Sequence, residues 1–131
     1  VQDTQQRLLL GWRNNPPARG YWFVPGGRIR KNEPLAEAFA RISKAELGQE
    51  FQLEQSILTG VHQHFYQDDF RGQPGASTHY VVLAHKLWLG DIRLAPPDSE
   101  ESQHSRYRWA GSQDISEDLL VHPYARAYFY H

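Results

Sequence analysis

Along the chain, apolar residues either bunch into short runs or recur at steps of three and four, and each pattern predicts a different element. QRLLLGWR, residues 6–13, is a short apolar run with polar ends and predicts a strand. The NNPPARG that follows is dense in turn formers and predicts a loop. YWFVPGG, residues 21–27, is aromatic and β-branched, and predicts a short strand that runs into Pro25, Gly26 and Gly27. Those glycines suit a backbone that must approach a ligand closely. Leu35, Ala38, Phe39, Ile42 and Ala45 then form a helical stripe, opened by Pro34 and closed by Gly48.

From Phe51 to Tyr66, and again from Thr78 to Leu89, β-branched, aromatic and Leu residues dominate, with the turn-like QDDFRGQPG between them. These stretches predict the two arms of a hairpin. IRLAPPDSEESQHS, residues 92–105, is polar and Pro-containing and predicts a loop able to carry a site, followed by a short closing strand in RYRWAG. Ile115, Leu119, Leu120, Tyr124, Ala127 and Tyr128 predict a helix from about Asp114 to His131. Strand, loop, helix, strands, helix is the order of an α/β (α+β) domain, with a mixed sheet and helices packed on it.

At 131 residues the chain has room for one domain with a real core. No apolar run approaches a bilayer span, so a soluble protein is expected, and a net charge of −1 speaks against a general nucleic-acid binder, so the expected partner is small. With no cysteine, disulfides and thiolate sites are excluded, and a reducing, cytoplasmic setting fits. The chain starts at Val1 without an initiator Met, so a preceding segment is expected.

Chemistry concentrates in GGRIRKNEPLAEAFARISKAELG, residues 26–48. This segment resembles the Nudix box, in which Gly, Glu, an Arg-Glu pair, a Glu-Glu pair and Gly stand at fixed spacings. Gly27, Glu33, Arg41, Glu46 and Gly48 occupy matching positions. Ile42 and Ala45 stand where the pattern has carboxylates, and Ser43 and Gln49 where it has apolar residues. Positions 42, 45 and 46 share one side of a helix, so one carboxylate remains of three. Magnesium prefers six oxygen ligands and keeps several waters, so one Glu holds it only with help from a carbonyl, another side chain and substrate phosphates. One metal is expected, not a multi-metal cluster.

These departures, with PPARGYWFVPGGR, QHFYQDDF, THYVVL and YRW in the same order, resemble the GDP-mannose mannosyl hydrolase branch of the family from about Leu8 to Phe129. The resemblance implies a Nudix-type mixed sheet sandwiched between helices. It implies one Mg2+ per subunit, with Mn2+ as a substitute, held by Gly26, Glu46 and Gln103, and His104 as general base. It further implies that Arg13 and Arg28 contact a diphosphate, that His64 and Tyr80 lie near the sugar or its phosphate, and that the protein is a homodimer. A further Asp of the branch falls just ahead of Val1, outside this chain. The substrate implied is GDP-mannose or a related GDP-hexose, cut by water attack at the anomeric carbon with inversion.

Each of these residues also has a plainer reading. Glu46 alone would be a solvated helix carboxylate, Gln103 and His104 surface loop residues, Arg13 and Arg28 surface ion-pair formers, and Tyr80 a core ring. His62 and His64 share a strand face, but no Cys or third-ligand motif completes a zinc site. Glu33 and Arg41 read as structural, Glu33 near the helix start and Arg41 orienting carboxylates. Two competing functions stay open: an ordinary Nudix pyrophosphatase cutting at phosphorus, and a non-catalytic nucleotide-sugar binding module.

Overall fold

A computed structural model describes residues 1–69, 71–90, 94 and 104–129, with the main chain alone at 104 and 105. The run LLLGWR forms strand β1 (Leu8–Arg13), the centre of a three-stranded antiparallel sheet. Its neighbours are β2 (Trp22–Phe23) and β5 (His104–Ala110). Leu8 and Leu10 pack with Ala110, Ile115, Val121 and Ala125, whereas Leu9 packs with Leu47, Phe51, Leu87 and Leu89 on the opposite face. This explains the unbroken apolar run: β1 is covered on both sides, so alternation with polar residues is not allowed. The sheet is thus sandwiched between helices, as expected for an α+β domain.

Helix α1 (Leu35–Leu47) has the boundaries that Pro34 and Gly48 predict, Gly48 taking the left-handed conformation at φ 77°. Its buried face is shifted from the predicted stripe. Leu35 is exposed, while Ser43, Glu46 and Leu47 are buried. Ser43 is tolerated inside because its Oγ accepts the Phe51 N–H at 2.9 Å and donates to the Ala40 carbonyl at 3.0 Å.

A short 3-10 turn (Leu53–Gln55) leads into β3 (Ser56–Tyr66), which pairs antiparallel with β4 (Thr78–Leu87) in the predicted hairpin. The register slips between Leu58 and Gly60, a bulge in β3. Val1–Asp3 tie the hairpin to the central sheet. Gln2 bridges Leu8 on one side and Trp88 in parallel on the other, with Leu9 N–H donating to the Val1 carbonyl at 3.0 Å.

Two expected elements differ. Of YWFVPGG only Trp22–Phe23 is regular strand, because Pro25 has no N–H to continue a ladder. The terminal helix is two helices, α2 (Ser112–Glu117) and α3 (Pro123–Phe129). Asp118 accepts the Leu120 N–H at 2.9 Å and an Arg108 guanidinium N–H at 2.9 Å, fixing a turn there, and Pro123 opens the second helix. The turn puts Val121 into the core and leaves Leu119 84% exposed. No described helix is long and apolar enough to cross a membrane.

Candidate functional site

Between α1 and the hairpin lies a cavity of about 700 Å³. Arg13, Gly26, Arg28, Glu46, His64 and Tyr80 all border it, although they come from five separate stretches of chain. Gln103 lies outside the described residues. His104 begins β5, and its main chain pairs with Arg13.

The Gly26–Gly27 loop owes its place to α1. A Cβ on Gly27 would stand 3.0 Å from Ile42 Cγ1, so only glycine allows this approach, whereas Gly26 faces open space. The loop is held from the other side by Arg41. Its guanidinium spans both Glu33 oxygens at 2.8 and 2.9 Å and donates to the Arg28 carbonyl at 2.8 Å. Glu33 in turn accepts the Arg30 N–H at 3.1 Å. The Arg41 hydrogen bonds, seconded by the Arg30 N–H, hold the Glu33 carboxyl down to about 2. Both box residues therefore serve the geometry of the loop.

Glu46 is only 3% exposed, and the Tyr107 hydroxyl donates to its carboxylate at 3.3 Å across from β5. Arg13, the last residue of β1, donates to the Pro17 carbonyl at 3.0 and 3.2 Å and to the Asn15 carbonyl at 3.3 Å, shaping the turn-rich loop. Burial lowers its pKa, and Tyr66, Glu46 and Tyr80 oppose that shift. It remains a cation beside the cavity. Ile42 and Ala45, at the two altered box positions, add no oxygen ligand, and no cluster of three or more His, Cys, Asp or Glu fit to hold a metal occurs among the described residues.

His64 is buried at 4% exposure. Its Nε2 lies 2.7 Å from the Tyr128 hydroxyl, and its ring stacks on Tyr124 at 4.1 Å with a 3° interplanar angle. Burial, then the neighbouring His62 and His122, push its pKa down to about 4. At neutral pH the imidazole is uncharged. It borders the cavity as a hydrogen-bonding group without charge.

Three ring hydroxyls near the cavity escaped the sequence reading. Tyr66 and Tyr128 border it, and Tyr107 reaches Glu46. Tyr107 lies in the YRW motif, and Tyr128 is one helical turn from Tyr124, but neither signal says which side chain it meets.

Comparison with protein families matches the NUDIX domain over residues 1–130. Among curated proteins, the low-salt glycan biosynthesis protein Agl8 of Haloferax volcanii is 38% identical over 124 residues, covering 92% of this chain and 70% of the relative. Among solved structures, the MutT NUDIX hydrolase from Burkholderia pseudomallei superposes with a TM-score of 0.63 at 24% identity, covering 95% of this chain and 86% of that one. The MutT/nudix family protein from Enterococcus faecalis gives 0.56 at 23% identity over 79% of this chain, which spans 36% of that protein.

Proposed function

The chain belongs to the NUDIX domain family, and from that membership we propose that it hydrolyses GDP-mannose, or a related GDP-hexose such as GDP-glucose, to GDP and free hexose. The observation that carries the reading is the cavity itself. It sets one buried carboxylate, Glu46, beside two cations, Arg13 and Arg28, and an uncharged aromatic patch around His64 and Tyr80. Activating water between metals would call for more carboxylates than the box retains, while holding a diphosphate leaving group calls for fewer.

The oxygen donors fit magnesium: the Glu46 carboxylate, an exposed Gly26 whose carbonyl is of the right type, and the amide of Gln103, with water and phosphate completing the set. Bound there, the ion would neutralise the diphosphate and so favour departure of GDP. Arg13 and Arg28 hold the phosphates and take up charge that develops on them. His104 removes a proton from water as its oxygen bonds to the anomeric carbon. The bond from that carbon to the phosphate oxygen breaks, its electron pair leaves with GDP, and the centre inverts. His64 and Tyr80 orient the hexose. The 38% identity to a protein named for glycan biosynthesis agrees with a nucleotide-sugar substrate. The working form is a cytoplasmic homodimer.

The test is hydrolysis of GDP-mannose in oxygen-18 water with magnesium, followed by mass analysis. GDP with label in mannose is expected. GMP with mannose 1-phosphate, and label in a phosphate, would return the protein to phosphorus chemistry. Binding without any product would make it a non-catalytic module.

A further inference from the structure

Helix α3 presents two tyrosines one turn apart, and both engage His64. Tyr124 stacks on the imidazole, and its hydroxyl is bonded to the Phe65 main chain, accepting the N–H at 3.1 Å. That hydroxyl is committed to structure, and Tyr124 is not among the cavity's walls. Tyr128 borders the cavity, its ring edge-on to His62 at 4.9 Å and its hydroxyl 2.7 Å from His64 Nε2. The two rings are chemically alike and differ in what their hydroxyls face.

We infer that the Tyr128 hydroxyl, presented by α3 and paired with His64, recognises a hydroxyl of the hexose and so selects nucleotide sugars over bare nucleoside diphosphates. The inference rests on the nucleotide-sugar reading above and adds a recognition residue from the last helix to it. A neutral imidazole has one N–H and one acceptor nitrogen. If Tyr128 donates to Nε2, its oxygen keeps lone pairs for a ligand donor. If Nε2–H donates to Tyr128, the phenol proton is left for a ligand acceptor. A sugar hydroxyl can play either part, whereas a phosphate oxygen only accepts. Arg13 and Arg28 supply the positive charge that a diphosphate requires, and the Tyr128–His64 pair supplies none. The pair therefore distinguishes the uncharged portion of the ligand.

The test compares KM for GDP-mannose with the inhibition constant of GDP in wild type, Tyr128→Phe and Tyr124→Phe. Loss of one neutral hydrogen bond to the sugar raises KM about 10-fold, with the GDP constant within about twofold of wild type. Tyr124→Phe also removes a hydroxyl from α3 and is expected to leave the ratio of the two constants unchanged. A Tyr128→Phe ratio equal to wild type overturns the inference, as does an equal change in Tyr124→Phe, which would mark a merely structural effect. Should Tyr128→Phe fail to fold, wild type is compared on GDP-mannose and on its analogues lacking single hexose hydroxyls, and a KM unchanged for every analogue counts against the inference equally. Wild-type protein that neither binds nor hydrolyses any nucleotide sugar sinks the functional reading itself, and is seen before any variant is compared.

Discussion

Acidification from pH 7 to pH 4 should remove about 2 kcal/mol of stability through His64 alone. The ring is buried under α3, with Tyr128 on Nε2 and Tyr124 across its face, and its pKa falls from 6.5 to about 4, chiefly by burial. Above pH 6.5 both folded and unfolded states hold it neutral, so it contributes no pH dependence. Below that value the unfolded chain binds a proton first, and the native state is penalised until its own pKa near 4 is reached. At 1.36 kcal/mol per unit the ceiling is about 3.4 kcal/mol. The open cavity beside the ring admits water that screens part of this, which leaves about 2. Urea denaturation of wild type and His64→Gln at pH 7, 5.5 and 4 isolates the effect, since other titrations cancel to first order in the difference. Gln keeps a hydrogen-bonding group and loses the titration. The gap between the two proteins should shift in favour of the variant by about 2 kcal/mol across that range. A gap that stays flat, or a native His64 that titrates near 6.5 by NMR, refutes the reasoning.

Gly27→Ala brings a methyl to 3.0 Å from Ile42 Cγ1 and should cost about 1–3 kcal/mol, most of it recovered in the Gly27→Ala, Ile42→Ala double variant; a denaturation cycle measures the coupling. Glu33→Gln should remove stability at neutral pH and flatten the acid limb between 4.5 and about 2. The lowered carboxyl stabilises the fold above the unfolded pKa and loses that contribution as pH falls through the folded one; stability curves against pH check it. Glu46→Gln keeps the shape of the buried side chain and its Tyr107 neighbour but removes the charge, so magnesium affinity measured by calorimetry should fall at least 10-fold with little change in melting temperature.

Much of the fold was legible locally. The helix from Pro34 to Gly48 needs only a fixed φ at its start and a left-handed residue at its end, and both are properties of single residues. The hairpin follows from two β-rich stretches around a turn-rich one, and the box spacing places Gly27, Glu33, Arg41 and Glu46 without any contact being known. The strand QRLLLGWR was visible too, but its burial on both faces was not, since that depends on which helices cover it.

Only the tertiary structure decided which groups meet. Periodicity ran one helix through residues 114 to 131, whereas the Asp118 turn and Pro123 split it, and burying Val121 rewards the break at the expense of exposing Leu119. Ser43 violates the apolar rule for its position until the Phe51 N–H arrives from beyond the helix. Tyr128 and His64 stand 64 residues apart, and no spacing rule links a strand residue to a helix residue across that distance. The reason is physical. Local sequence sets φ and ψ preferences and the side on which an apolar stripe lies, but the partner of a polar side chain is chosen when elements pack. Packing depends on the shapes and volumes of all the layers together.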